Sequence, residues 1–205
     1  MDQSGNLQQN HISELITAGE ILDARGWVPA TSGNFSMRLN PDCIAITVSG
    51  VHKGNLTTET IMTIDPNGRS LDNKKPSAET ELHAALYRKY PDINVVLHTH
   101  SINATLISRL NNQELKLSGY EILKAFHGVT THETVICVPI FANDQDIARL
   151  SSKVVMYLEQ NPPVYGYLIA GHGLYTWGQT MQETMRHIEA FEFLFECELK
   201  LMGAR

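Results

Sequence analysis

The stretch Val95-Val96-Leu97-His98-Thr99-His100 restricts this chain more tightly than any other. Its continuous apolar start reads as a buried strand. Side chains two apart on a strand leave the same face, so His98 and His100 point the same way. Two imidazoles so placed can reach one divalent ion, because His nitrogens bind zinc at about 2.0–2.1 Å. The alternative is a strand that merely ends in polar residues.

A catalytic zinc takes three protein ligands and keeps one position open. His172 follows the apolar run Tyr165-Gly166-Tyr167-Leu168-Ile169-Ala170 and stands between Gly171 and Gly173, which permit close backbone approach. His98, His100 and His172 are therefore the expected metal set. The other histidines, His11, His52, His83, His127, His132 and His187, have no spacing that lifts them above surface or helix-face residues, although His52 adjoins a turn of interest.

The rest of the chain supplies cover for such a strand. Asn10 reads as the cap of a first helix carrying Ile12, Leu15, Ile16 and Leu22 up to Gly26. Phe35, Met37 and Leu39, the turn Asn40-Pro41-Asp42, and Ile44, Ile46 and Val48 read as a hairpin. A shorter hairpin is expected from Ile61 to Leu71 around Pro66-Asn67-Gly68. Ser77 is expected to cap a helix with Leu82, Ala85 and Leu86 inward. Helices are expected over 101–110 and 119–126, then a strand over 134–140 and a helix capped by Asn143. Strands follow on either side of His172, and a last helix opens on the capping box Thr180-Met181-Gln182-Glu183. About eight strands with helices interspersed predict a three-layer α/β/α sandwich around a mixed, mostly antiparallel sheet.

Two turns at one end of the first hairpin, Thr31-Ser32-Gly33-Asn34 and Ser49-Gly50, can aim several N–H and O–H donors at one anion. Lys53 follows closely, and Ser77 at a helix N-terminus can add to them. Gly33, Asn34, Ser49, Gly50, Lys53 and Ser77 are thus candidate phosphate ligands; either turn alone is equally readable as an ordinary turn. Glu79 is readable as a helix-start charge, and Glu121 with Lys124 as a solvated i,i+3 pair.

At 205 residues, 42% hydrophobic and 19% charged, the chain is expected to be a single domain over 1–205, with 1–8 a flexible N-terminus. A formal charge of −6 argues against a general nucleic-acid binder. Cys43, Cys137 and Cys197 form no C-x-x-C, which points to a reducing, cytoplasmic setting. No signal peptide or membrane span is read, and no nucleotide fingerprint is present.

Taken together, T-S-G-N, S-G, P-S-A-E, H-T-H and G-H-G resemble the class II aldolase/adducin family across nearly the whole chain. The resemblance implies one Zn2+ per subunit on His98, His100 and His172, and a sugar-phosphate substrate held by the turns. It also implies a homotetramer with sites between subunits, so that Glu121 would serve a neighbour's zinc. Aldolase members carry a catalytic tyrosine where this chain has Glu121, whereas dehydrating members of methionine salvage resemble it in having glutamate. The implied activity is loss of water from a 2-ketose 1-phosphate, with Glu121 and Glu79 as catalytic candidates. This chain keeps Glu79, which the aldolases use as acid/base and some dehydratases replace, so the division of labour stays open. The rivals are a sugar-phosphate aldolase and a non-catalytic, zinc-stabilised interaction module.

Overall fold

The computed structural model describes residues 3–161 and 163–204. Eight strands form one sheet: β1 (Asn34–Asn40), β2 (Cys43–Thr47), β3 (Ile61–Ile64), β4 (Val95–Thr99), β5 (Glu114–Leu117), β6 (Ile136–Phe141), β7 (Gly166–Ile169) and β8 (Gly173–Gly178). Their order is β3-β2-β1-β4-β8-β7-β6-β5. Every neighbouring pair is antiparallel except β6 with β7.

Helices cover both faces, as a strand apolar on both sides requires. Along β4 the faces alternate: Val95 and Leu97 pack with Leu15 and Leu22 of α1 (Gln3–Ala24) and Ile188 of α5 (Met181–Gly203). Val96 packs the other way, with Leu82 and Leu86 of α2 (Thr80–Lys89) and Leu150 and Val154 of α4 (Ile147–Gln160). The short α3 (Ile102–Leu110) joins α5 over β5–β8 through Ala104 and Ile107. The expected three-layer sandwich is the observed architecture.

Several local expectations shift. Helix α1 begins at Gln3 and Asn10 lies inside it, since a single glycine is the strongest helix breaker in that stretch. The expected flexible N-terminus therefore falls partly on helix, and residues 1–2 lie outside the described residues. The second hairpin reduces to one bridge, Ile64 to Ser70. Its return arm is held by two backbone bonds, Asp65 N to Arg69 O at 2.8 Å and Leu71 N to Thr63 O at 2.9 Å, and by side chains: Asp65 Oδ1 accepts from the Asn67 and Arg69 amides at 2.8 and 2.9 Å, and Asp72 Oδ2 from the Thr63 amide at 2.9 Å. Residues 121–125 make a 3-10 turn rather than an α-helix. Helix α4 is capped by Asp146, which accepts the Arg149 amide at 3.0 Å, and not by Asn143. Helix α2 starts at Thr80, and Ser77 Oγ accepts the Glu79 amide at 3.3 Å just ahead of it.

Candidate functional site

His98 ends β4 on the α2/α4 face, directly opposite Tyr175 of β8, which in turn sits opposite Tyr167 of β7. Register alone thus stacks three rings across three strands, with His98–Tyr175 centroids 3.8 Å apart and Tyr175–Tyr167 centroids 4.9 Å apart. His98 is fully buried, and its Nδ1 donates to Leu174 O at 2.9 Å. A carbonyl can only accept, so the proton is on Nδ1 and the Nε2 lone pair faces the site. Burial holds His98 neutral by pushing its pKa well below 6.5, and burial with the neighbouring His172 takes His100 to about 4.

The turn between β7 and β8 delivers the third ring. Gly173 packs so tightly on Thr99 O and His98 that a Cβ there would overlap the backbone, so glycine is required for the approach. The three Nε2 atoms then converge: 2.8 Å from His98 to His100, 3.3 Å from His98 to His172 and 3.1 Å from His100 to His172. Three nitrogens bound tetrahedrally to one zinc ion stand about 3.3 Å apart. Lone pairs crowded this closely repel unless a cation sits among them, so the donor set fits a divalent metal. His98, His100 and His172 form the one cluster among the described residues whose ligand atoms lie within 4.8 Å of one another.

Glu79 joins this cluster and does not act as a plain helix-start charge. Its Oε1 lies 3.0 Å from His172 Nε2 and 3.8 Å from His98 Nε2. Burial alone would raise its pKa, but the contact with His172, the neighbouring His98 ring and the Asn34 amide hold it well below the usual carboxylate range. The Asn34 Nδ2 donor is 2.5 Å from Glu79 Oε2. Asn34 Oδ1 meets His83 Nε2, and His83 Nδ1 meets Ser36 Oγ at 2.7 Å. His83, treated in sequence as a helix-face residue, is fully buried.

All six candidate phosphate ligands line one cavity of about 100 Å³, together with Glu79 and His100. Gly33 turns the chain there with φ +74 and packs against His98 O, where a Cβ would come within 2.6 Å. Lys53 is buried, its Nζ donating to Val51 O at 2.6 Å and Thr31 O at 3.1 Å. Burial lowers its pKa to about 8, against the opposing pull of Glu79. Asn34 differs from the other five in that its side-chain amide is engaged at both ends.

The family model described as Class II Aldolase and Adducin N-terminal domain matches residues 13–199. The chain belongs to that family. Among curated class II aldolase relatives, methylthioribulose-1-phosphate dehydratase of Methylococcus capsulatus (strain Bath) is 54% identical over 197 residues, covering 96% of this chain and 97% of that protein. The protein of the same name from Pseudomonas aeruginosa is 56% identical over 192 residues, covering 93% and 94%. Among solved structures, YgbL of Klebsiella pneumoniae aligns with a TM-score of 0.80 at 21% identity, covering 94% and 90%. L-fuculose-1-phosphate aldolase of Thermus thermophilus aligns at 0.76 and 24%, covering 94% and 96%. These two likenesses establish the fold.

Within this class II aldolase fold Glu121 stands apart from the triad. It is exposed, paired with Lys124 and 3.8 Å from His132, and none of its polar contacts within the chain goes to the three histidines or Glu79. No helix among the described residues is long and apolar enough to cross a membrane.

Proposed function

We propose that this chain is a metal-dependent hydro-lyase converting 5-methylthioribulose 1-phosphate to 5-methylthio-2,3-dioxopentyl phosphate and water, the reaction expected in methionine salvage. The observation that carries this reading is the 54–56% identity, along nearly the whole chain, to proteins named for that activity. The convergent imidazoles and the donor-lined cavity beside them support it. Zinc is the proposed ion, one per subunit, and it would supply Lewis-acid stabilisation of negative charge on the C2 oxygen of the substrate.

The chain's own residues do the rest. The backbone and hydroxyl donors of Gly33, Ser49, Gly50 and Ser77, with the Lys53 ammonium, bind the phosphate. Glu79, held as a carboxylate by Asn34, orients the histidine cluster and presents Oε1 to the reacting end. Glu121 acts from a neighbouring subunit of a homotetramer, since on its own chain it is exposed and its polar contacts go to Lys124 and His132 rather than to the histidine cluster. One carboxylate can serve both proton transfers: it takes the C3 proton and delivers it to the departing C4 hydroxyl, which leaves as water. The resulting enol then tautomerises to the diketone.

A dehydration assay with 5-methylthioribulose 1-phosphate, run before and after chelation and again after zinc is returned, tests this. Turnover that vanishes with chelation and returns with zinc is expected. Release of dihydroxyacetone phosphate would instead make the protein an aldolase, and full turnover in the chelated protein would remove the metal from the reaction.

A further inference from the structure

A second cavity, of about 300 Å³, adjoins the phosphate cavity and shares Ser49, Ser77 and Glu79 with it. The chemistry of the two walls differs. The first is lined by turn glycines, hydroxyls and Lys53. The second has an apolar side made by Ile147 in the first turn of α4, Leu150 one turn later, and Ile169 at the end of β7. His172 also lines it, so this wall begins where the imidazole cluster ends. Ala78, Asn143 and Gln145, all exposed, complete it.

A ketose 1-phosphate with its phosphate among the turns and its C2 and C3 oxygens at the histidines has one end left, the substituent on C5. That end needs room beside the histidines outside the small phosphate cavity, and the adjoining second cavity, lined by His172 and Glu79, offers it. We propose that this cavity is the subsite for the methylthio group, with Ile147 as the side chain that sets specificity; the inference rests on the dehydratase reading. A thioether is apolar and at most a weak acceptor, so Ile147, Leu150 and Ile169 suit it. A hydroxyl in the same place would lose water without a partner on that wall. Leu150 and Ile169 are also core residues, each 1% exposed, whereas Ile147 is only partly buried and can be changed with least harm to the fold.

The test compares 5-methylthioribulose 1-phosphate with ribulose 1-phosphate, using the metal-loaded full chain. The kcat/KM ratio should favour the methylthio compound by about tenfold or more, the scale of one or two carbon-sized groups in an apolar pocket. In Ile147→Ala that ratio should fall by about tenfold; an unchanged ratio overturns the assignment. Ile147→Val, which removes one methylene, keeps the test open should the alanine variant fail to fold, with an expected fall of about threefold to fourfold. Binding of 5-methylthioribitol 1-phosphate and ribitol 1-phosphate, which lack the C2 carbonyl and cannot be dehydrated, separates the subsite from the reaction. Tighter binding of the methylthio compound that disappears in the variant upholds the subsite even if no dehydration occurs, a result that would sink the reaction alone. Equal binding of the two by the wild-type protein overturns the subsite.

Discussion

Asn34 donates Nδ2–H to Glu79 Oε2 across 2.5 Å, and this is the last link of a hydrogen-bond chain with one permitted direction. With Nδ2 facing the carboxylate, Oδ1 is the acceptor at the other end of the amide, so His83 Nε2 must carry a hydrogen. Burial lowers the His83 pKa to about 4, partly opposed by Glu79, and the ring is neutral at pH 7 with its lone pair on Nδ1. The Ser36 hydroxyl therefore donates to Nδ1 at 2.7 Å and accepts from the Tyr87 hydroxyl at 2.9 Å. Every donor points toward Glu79. His83→Leu removes the hydrogen offered to Asn34 and should lower kcat on the order of 10–100-fold, the usual cost of losing a group that orients an active-site residue, with KM little changed. His83→Gln, whose amide nitrogen reaches the Nε2 position, should restore most of that loss. Steady-state kinetics on both variants, with metal content matched, decide this; equal losses in the two would reduce His83 to packing.

The same burial makes the fold sensitive to acid. A neutral buried histidine with a pKa of about 4 takes up its proton far less readily than the unfolded chain, where the value is near 6.5. Between these values the unfolded state binds more protons, so the His83 contribution is fully present above about pH 6.5 and is lost as pH falls toward 4. Its full size is about 3 kcal/mol at 1.36 kcal/mol per unit. Urea denaturation of metal-free protein at pH 7 and pH 5 should show stability dropping on the acid side, and less steeply in His83→Gln. Parallel pH profiles for the two proteins would contradict the buried neutral ring.

The sandwich and the histidine cluster were legible because both rest on short-range pattern: unbroken apolar runs, alternation, and histidines two apart on a strand. The chain through His83 was not, because it depends on two periods meeting. Glu79, His83 and Tyr87 recur every four residues along the start and body of α2, and Asn34 and Ser36 every two along β1. Four helical residues rise about 6 Å and two strand residues about 6.6 Å, so the two rows match step for step once α2 lies along β1. The spacing in α2 is a signal that sequence reading passed over. Strand β5 escaped for another reason: Glu114-Leu115-Lys116-Leu117 offers only two inward residues, too few to stand out between two asparagines and a glycine.

Lys53 carries a second pH signature, on the alkaline side. Its ammonium is charged below a pKa of about 8, which burial has lowered, and it loses that charge as pH rises through 8. The KM of a sugar phosphate should therefore climb above pH 8 while kcat is affected less, since the lost attraction is to the phosphate and not to the reacting carbons. Lys53→Met should show a raised KM already at pH 7 and no further rise through pH 8. A wild-type KM that stays flat to pH 9 would take Lys53 out of phosphate binding.

Glu121 offers the sharpest test of assembly, because its own chain leaves it exposed and paired with Lys124. Glu121→Gln should fold and retain metal as the wild type does, since an exposed ion pair contributes little to stability, yet lose dehydration. His172→Ala should lose metal and activity through the other half of the site. If each site joins the histidines of one subunit to Glu121 of the next, the two dead proteins repair one another on mixing. A Glu121→Gln subunit supplies intact histidines, and a His172→Ala neighbour supplies the missing carboxylate. Random exchange between equal amounts should restore about a quarter of the sites in a cyclic homo-oligomer. Activity measured after unfolding and refolding the mixture checks this. No recovery, with both subunits found in the same oligomers, would mean that Glu121 works on its own chain or not at all.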